Sequence, residues 1–448
     1  MSADHDSGPT GGIARAARLL TLPVAFTGRA ALGVGRRLVG ADPQAVSAAV
    51  TAHNAEQLFA VLGQLKGGAM KVGQALSVFD AMIPAEIAEP YHDALSRLQS
   101  AGPAMPTRDV HRMLAEQLGA RWPRRFRHFD DEPAAAASLG QVHRAVWADG
   151  RAVAVKVQYP GADLALDADL RTLQRFSRMF VLVVPGLDAP AVIRELRERM
   201  LEELDYRAEA DRQRAFAAAF ARSDRLAVPA VVAAAPKVLV SEWLDGVTLG
   251  ALIRDRDGTD QDRRDRHAHT VIETLLSSPA QVGLLHADPH PGNFLALADG
   301  RLAMIDYGAV APLPGGIPPT LARILGHLAN AEAAPMLQLL RAEGFLAGDV
   351  AAEDVLAYLG AVGDPLRVER FHFDRAWVQR QAAGAVRDGA YWRTGRALSL
   401  PARYLLVVRV LSGWMNILAQ LDCSVAVRNL ARRWVPGFAS AVQASTCA

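Results

Sequence analysis

The strongest constraint on this chain is the segment HADPHPGN at residues 286–293, which is followed by Asp306-Tyr307-Gly308. Between the two motifs, the runs FLAL and RLAMID flank an Ala-Asp-Gly turn and predict a β-hairpin. Because a hairpin returns the chain to its start, Asp306 is expected to approach Asn293. The H-x-D-x-x-x-x-N spacing predicts that Asp288 is a catalytic base or an orienting carboxylate, and that Asn293 and Asp306 are ligands of Mg²⁺.

A second predicted hairpin, with an Asp-Gly turn, ends in the strand VAVK at residues 153–156. Alternate side chains of a strand face opposite sides, so the valines are expected to face the core and Lys156 to face a cleft. A lysine on such a strand can bind the α- and β-phosphates of a nucleotide. In the long helical pattern that follows, Asp205 and Glu209 are four residues apart. They are therefore predicted to share one face, where either could form an ion pair with Lys156.

The segment before the VAVK strand is alanine-rich where a glycine-rich phosphate loop would be expected. It contains Ala135, Ala136, Ala137 and Ser138. Alanine does not readily adopt positive φ, and its methyl group limits close approach of the backbone. These four residues are therefore predicted to contact the nucleotide in a different geometry. Glu242, at the end of the predicted strand KVLVSE, is a further candidate nucleotide-binding residue.

Lysine is rare in this chain, which makes each lysine informative. Only four of the 49 Lys and Arg residues are lysine, and two of the four, Lys66 and Lys71, lie in one upstream segment. Lys71 and Gln74 are three residues apart in a predicted helix and share a face. Because a lysine is a compact point charge and an arginine a planar fork, Lys71 and Gln74 are predicted to be functional. The alternative is a surface lysine beside the helix-packing Gly73.

Composition and charge exclude several classes of protein. The net charge of +2 argues against a nucleic-acid-binding protein that works through bulk basicity, and two cysteines make no disulfide framework. No signal peptide is evident, so a cytoplasmic location is expected. The apolar run 404–421 contains Arg409 and is predicted to be a buried helix. Residues 13–40 carry five arginines and no acid, which favours either a peripheral membrane contact or a helix packed on the main domain.

Taken together, these motifs resemble the UbiB/AarF family of atypical protein-kinase-like proteins. The motifs that carry the resemblance are K-x-G-Q, the alanine-rich loop, V-A-V-K, E-x-D at residues 203–205, H-x-D-P-H-P-G-N and D-Y-G. The resemblance implies an α+β fold with the two lobes of a protein kinase, an extra N-terminal helical extension that carries K-x-G-Q, and C-terminal helices. The chain departs from ordinary protein kinases in its alanine-rich loop, in His290, where many protein kinases have lysine, and in the absence of an A-P-E motif after Asp306.

The resemblance also implies roles for the matching residues. Lys71 and Gln74 would reach the nucleotide site near Glu203 and Asp205, while Lys156 would pair with Glu209. Asp288 would be the catalytic-loop aspartate, and Asn293 and Asp306 would bind Mg²⁺. The expected cofactors are ATP or ADP and Mg²⁺.

The predicted domains follow the change of pattern along the chain. They comprise a basic N-terminal segment, the helical extension, an N-lobe, a C-lobe with the catalytic and metal loops, and a C-terminal helical part, at residues 1–40, 41–125, 126–245, 246–350 and 351–448. The charged segment 254–266 is expected to be a solvated loop or the start of a helix.

The first functional hypothesis is a Mg²⁺-dependent ATPase or unorthodox kinase that supports isoprenoid quinone biosynthesis or membrane lipid homeostasis. The alternatives are a small-molecule phosphotransferase, because H-x-D-x-H-x-G-N also resembles aminoglycoside-type kinases, and a nucleotide-binding pseudokinase scaffold without turnover. The expected partners are a nucleotide, a lipid or quinone-like small molecule and a peripheral membrane surface, with no nucleic acid. A homodimer is left open.

Overall fold

The computed structural model describes residues 104–137, 139–164, 167, 204–255, 258–387 and 389–443. The predictions for Lys71, Gln74, Glu203 and Ser138, and for the membrane contact of residues 13–40, lie outside the described residues. The chain divides into two compact units, and the larger comprises residues 106–135, 141–158 and 202–448. Within the smaller unit, the backbone N–H of Tyr159 donates to the carbonyl of Leu139 over 2.9 Å.

The N-terminal part of the larger unit is built on a sheet with the strand order β1-β3-β4-β7-β6. The predicted hairpin at the Asp-Gly turn is confirmed, because β3 and β4 are neighbours and Gly150 adopts the positive φ of +97° that such a turn requires. Between residues 107 and 242 the described elements are α1 (Thr107–Leu118), β1 (Phe126–Phe129), β2 (Ala135–Ala137), β3 (Gly140–Trp147), β4 (Ala152–Gln158), α2 (Tyr206–Ala219), β5 (Leu226–Ala227), β6 (Val231–Ala235) and β7 (Val238–Glu242).

Strand β4 alternates as the sequence predicts. Val153, Val155 and Val157 are fully buried, whereas the side chain of Lys156 points to the opposite face and is 15% exposed. Strand β7 lies beside β4 in antiparallel register, with Lys156 opposite Leu239. The valines of β4 therefore anchor the strand in the core, so that Lys156 is held on a rigid element.

The C-terminal part begins with a four-stranded sheet in the order β5-β11-β10-β8. The second predicted hairpin is confirmed as β10 and β11, which pair antiparallel with Phe294 opposite Met304. The short strand β9 pairs with β12, so that His286 lies opposite Val310. The elements are β8 (Gly246–Thr248), α3 (Leu249–Arg254), α4 (Gln261–Val282), β9 (Leu284–His286), β10 (Phe294–Leu297), β11 (Leu302–Met304) and β12 (Val310–Pro312).

The rest of the chain is mostly helical, as predicted from residue 319 onward. One large core joins α4 to these helices and includes the buried residues Val271, Leu321 and Trp414. No helix within the described ranges combines the length and hydropathy needed to cross a membrane. The elements are α5 (Pro319–Asn330), α6 (Ala333–Ala342), α7 (Ala352–Tyr358), α8 (Gly360–Arg367), β13 (Phe371–Phe373), α9 (Arg375–Arg387), α10 (Gly389–Ala397), α11 (Ala402–Leu421), β14 (Cys423–Val425), α12 (Val427–Trp434) and α13 (Phe438–Gln443).

The prediction that residues 254–266 are a solvated loop or the start of a helix is confirmed for the helix start, because α4 begins at Gln261. Three positions, Thr259, Arg264 and Asp265, are nevertheless buried, the last two in the first turns of α4. Asp265 accepts the backbone N–H of Ser424 over 2.7 Å and a guanidinium N–H of Arg370 over 2.6 Å. Charged residues can be buried when they are paired in this way. The density of charges in residues 254–266 did not predict this burial, because Arg370 and Ser424 are distant in the sequence.

Candidate active site

The centre of the candidate site is a buried ion pair between β4 and α2. Lys156 Nζ lies 2.7 Å from Glu209 Oε1 and 2.9 Å from Oε2, and the Glu209 side chain is only 3% exposed. Two short charge-assisted hydrogen bonds to one ammonium fix its position tightly. The pair ties α2 to the sheet, and this arrangement of a strand lysine and a helix glutamate is the one required for phosphoryl transfer in protein kinases.

A second carboxylate faces the same ammonium. Asp306 Oδ2 lies 3.5 Å from Lys156 Nζ, which brings the D-Y-G motif to the lysine as the hairpin prediction requires. Burial by itself lowers the pKa of Lys156, but the carboxylates of Asp306 and Glu209 outweigh burial and raise the pKa above its usual range. Lys156 is therefore a permanent cation at physiological pH.

The prediction that Asp205 shares a helix face with Glu209 is wrong, while its place near Lys71 and Gln74 in the nucleotide site stays a prediction. Asp205 does not share a helix face with Glu209, because it is the extended N-cap of α2 with φ −96° and ψ 100°. Its carboxylate accepts the backbone N–H of Arg207 over 3.0 Å and also binds the guanidinium of Arg207. An aspartate at this position satisfies a backbone donor of the first turn, and of the two predicted carboxylates it is Glu209 that binds Lys156.

The HADPHPGN segment folds into a tight loop that brings Asp288 and Asn293 into contact. Asn293 Nδ2 donates to Asp288 Oδ2 over 2.7 Å. His290 shapes the turn between them, because its Nδ1 accepts the N–H of Gly292 over 3.1 Å and its carbonyl accepts the N–H of Asn293 over 3.1 Å. The loop therefore holds the base candidate and the amide together on one rigid turn.

The D-Y-G motif is anchored by its central tyrosine. Tyr307 is fully buried and donates its hydroxyl to the carbonyl of Met304 over 2.9 Å. Its ring packs against Phe216 of α2, with centroids 5.3 Å apart, and against the edge of His286. His286 Nε2 lies 2.8 Å from the carbonyl of Asp306. With Tyr307 buried among these rings, the Asp306 carboxylate is directed toward Lys156.

The donor set of the site fits a hard cation. A carboxylate accepts hydrogen bonds only, so the contact with Asp288 assigns the amide nitrogen of Asn293 as donor and directs its oxygen away. The backbone ties Asn293 to the residue before Asp306, because Ile305 N donates to the Asn293 carbonyl over 3.0 Å. In the part of the chain that is described, no group of three or more His, Cys, Asp and Glu residues could hold a metal. Few protein ligands are typical of Mg²⁺, which keeps water and phosphate oxygens around it.

The remaining predicted residues have the following positions. Ala135, Ala136 and Ala137 form the short strand β2, with Ala135 and Ala136 exposed and Ala137 partly buried. None of the three adopts positive φ, as expected for alanine. Glu242 is the last residue of β7 and is exposed, and its Oε2 lies 3.4 Å from the backbone N of Ala230. The predicted contacts of these four residues with a nucleotide stay predictions.

Two residues near Lys156 were not predicted. The ammonium of Lys156 lies 5.0 Å above the ring of Tyr206, and Arg212 Nη1 donates to the carbonyl of Gly308 over 2.8 Å. Arg212 therefore ties α2 to the D-Y-G motif independently of the ion pair. Arg212 follows Glu209 by three residues and so shares its helix face, which is the only sequence signal that could have indicated it.

Comparison with known proteins identifies the family. Residues 97–340 match the ABC1 atypical kinase-like domain, and the chain belongs to this family. The fold is accordingly kinase-like and mixed α+β. The chain is 34% identical over 333 residues to the chloroplastic ACTIVITY OF BC1 COMPLEX KINASE 1 of Arabidopsis thaliana, covering 72% of this chain and 47% of that protein. It is 29% identical over 360 residues to the mitochondrial atypical kinase coq-8 of Caenorhabditis elegans, covering 77% and 47%.

The chain thus spans about half the length of these curated relatives. A solved structure, the complex of Rv3197 with erythromycin from Mycobacterium tuberculosis, is also similar. It is 44% identical in sequence and covers 89% of this chain and 100% of its own, with a TM-score of 0.68. These relatives bear out the resemblance to UbiB-type atypical kinases.

Proposed function

We propose that the chain binds a magnesium nucleotide at this site and transfers or hydrolyses its terminal phosphoryl group. The observation that carries the proposal is the position of Lys156 between the carboxylates of Glu209 and Asp306, at 2.7 and 3.5 Å. In kinases, the lysine–glutamate pair and the metal-binding aspartate must both be in place for catalysis. Membership of the atypical kinase-like family supports the same chemistry.

Each residue has a defined task in this proposal. Lys156 binds the α- and β-phosphates, and Glu209 holds the ammonium in position. Asn293 and Asp306 would hold Mg²⁺, which neutralises charge on the β- and γ-phosphate oxygens when bound. Asp288 orients the attacking hydroxyl or water and accepts its proton as the new P–O bond forms and the bond to the leaving nucleoside diphosphate breaks.

The acceptor is proposed to be water or a small lipid-like molecule in quinone or lipid metabolism. The UbiB-type resemblance and the relatives named as BC1 complex and coq-8 kinases support this direction. After Asp306-Tyr307 the chain continues GAVAPLPGGIPPT, without the A-P-E motif of protein kinases, which argues against peptide docking. A peripheral membrane contact through residues 13–40 and a cytoplasmic location belong to the same proposal.

The test is phosphate release from MgATP by the full chain, with and without anionic liposomes that contain a quinone-like compound. Wild-type turnover should fall at least about a hundredfold in Asp288→Asn, because a general base contributes about 10²–10⁴-fold. The nucleotide Kd of this variant should stay within about threefold of wild type, because Lys156 is unchanged. Equal turnover in both proteins would remove Asp288 from the mechanism. No turnover under any condition, with nucleotide binding retained, would favour the scaffold alternative.

A second candidate is a small-molecule phosphotransferase or binding protein. The observation that favours it is the similarity to the Rv3197 structure, which is described as a complex with erythromycin. Adding erythromycin to the phosphate-release assay, with mass spectrometry of the macrolide, separates the alternatives. A phosphorylated macrolide would support transfer to a small molecule, whereas faster phosphate release without modification would support an ATPase that binds such compounds.

A further inference from the structure

Helix α11 contains the apolar segment 404–421, in which the sequence places one internal charge, Arg409. A charge within such a helix is unfavourable unless it is paired. Gly413, four residues later, is also unfavourable there, because glycine in a helix interior is less stable than alanine. Residues four apart share one helix face. Arg409 and Gly413, the two residues that are unfavourable in this apolar helix, therefore lie on the same helix face.

That face contacts the HADPHPGN loop at two points. Arg409 Nη2 donates to the carbonyl of Ala287 over 3.0 Å. A Cβ at Gly413 would lie 2.6 Å from Cγ and 3.2 Å from Cβ of Pro289. Ala287 and Pro289 are the two neighbours of Asp288, so α11 contacts the chain on both sides of this aspartate.

A third contact follows on the other side of Asn293. The ring of Trp414 meets the edge of Phe294, with centroids 5.2 Å apart and an interplanar angle of 80°. Both rings are almost fully buried. Ala287 is also held from the opposite side, because its N–H donates to the carbonyl of Ala309 over 2.8 Å. Helix α11 thus supports the loop at points that bracket Asp288 and Asn293.

We propose that Arg409 and Gly413 are positioning residues, which set the place of Asp288 through Ala287 and Pro289. The inference rests on the proposed function, in which Asp288 orients the nucleophile. The absence of a side chain at Gly413 lets Pro289 lie directly on the helix. The guanidinium of Arg409 fixes the carbonyl that immediately precedes Asp288.

The displacement caused by Gly413→Ala can be worked out from the contact. Ordinary contacts between carbon atoms begin at about 3.5 Å, so a methyl group at 2.6 Å must move Pro289 by about 1 Å. A misplacement of this size can reduce a rate by about a hundredfold. We expect kcat to fall about ten- to a hundredfold in Gly413→Ala and Arg409→Gln. The nucleotide Kd should change less than about threefold, because Lys156 is held by Glu209 of α2 and by Asp306 rather than by the loop that α11 supports.

Two matched controls separate positioning from general stability. Gly326→Ala introduces a similarly close contact, with the Cβ of Ala441, but between α5 and α13. Arg403→Gln removes an arginine of the same helix that binds the carbonyl of Glu343 over 3.1 Å. Both controls are expected to lower thermal stability without changing kcat. Arg409→Lys keeps a cationic donor and should recover most of the kcat that Arg409→Gln loses.

Hydrogen exchange gives a readout that does not depend on turnover. Amides within residues 287–293 should exchange severalfold faster in Gly413→Ala and Arg409→Gln than in wild type and both controls. The proposal would be overturned if Gly413→Ala and Arg409→Gln kept the hydrogen-exchange rates and the kcat of the wild type. It would also be overturned if exchange in residues 287–293 were accelerated equally in the two control variants. If the wild type binds no nucleotide, the proposed function fails. The exchange data then still decide whether α11 holds the loop.

Discussion

Replacing Glu209 by glutamine tests the ion pair at the centre of the site with little change of shape. The variant removes one charge and leaves an amide that can accept one hydrogen bond from Lys156. In the wild type, the ammonium lies 2.7 and 2.9 Å from the two oxygens of Glu209 and 3.5 Å from Asp306. In Glu209→Gln, the carboxylate that remains near Lys156 is therefore that of Asp306, at the longer distance. In the proposed function, this same carboxylate is a ligand of Mg²⁺.

The magnitude follows from distance and burial. At 2.7 Å, the gross Coulomb energy is about 6 kcal/mol with an effective dielectric constant of 20. Breaking a buried pair by removing one partner costs about 3–5 kcal/mol. The loss is smaller here, because Asp306 remains and Lys156 is 15% exposed, and we expect about 2–3 kcal/mol. For a unit of this size that corresponds to a decrease in Tm of about 3–5 °C.

The assay is thermal unfolding of Glu209→Gln beside Asp211→Asn. Asp211 belongs to the same helix and forms a 2.7 Å ion pair with Arg214, but its side chain is 75% exposed. An exposed pair contributes little, so the Tm of this control should change by less than about 1 °C. Equal Tm values for the two variants would refute the reasoning that burial gives the Lys156–Glu209 pair its strength. Glu209→Gln should also weaken nucleotide binding, because Lys156 is then held less firmly.

Two further predictions concern charge and pH. Calorimetry should show that Lys156→Arg weakens MgADP binding at least about tenfold, because a planar guanidinium does not fit the place of a compact ammonium between two carboxylates. The control Lys237→Arg, at the turn before β7, should bind MgADP as the wild type does. His267 is buried on α4, and burial, together with the charges of Arg263 and Arg266, lowers its pKa from 6.5 to about 4. Between these pH values the unfolded chain binds a proton that the folded chain does not, so the free energy of unfolding should fall by about 3 kcal/mol as the pH decreases. Urea unfolding of wild type and His267→Gln at several pH values checks this. An equal dependence of the free energy of unfolding on pH in the two proteins would contradict it.

The sequence predicted those features of the fold that depend on patterns among neighbouring residues. Both hairpins, the alternation that directs Lys156 away from the buried valines, and the approach of Asp306 to the site were predicted, because turn residues and period-two patterns act over a few neighbours. The choice between Asp205 and Glu209 could not be made in this way. An aspartate at the start of a helix is also a good N-cap, and helical periodicity continued through it without a visible break.

Contacts between distant segments left no such signal. Arg409 and Ala287 are 122 positions apart, and their meeting depends on the packing of α11 in the core. The sequence marked Arg409 as unusual for an apolar helix but gave no indication of its partner. Burial of Asp265 has the same origin, since it binds Ser424 of β14 and Arg370, and Arg264 donates to the carbonyl of the distant Asp422.

The most direct test of the site is Mg²⁺-dependent nucleotide binding by the wild type and Asp306→Asn. A matched control is Asp299→Asn, because Asp299 lies in the exposed turn of the β10–β11 hairpin and binds Arg301. Thermal shift with ADP, in the presence of Mg²⁺ or of EDTA, should show stabilisation of wild type and Asp299→Asn with Mg²⁺ only. Asp306→Asn should lose the Mg²⁺-dependent part. An unchanged Mg²⁺-dependent shift in Asp306→Asn, or no nucleotide shift in the wild type, would contradict the proposed site.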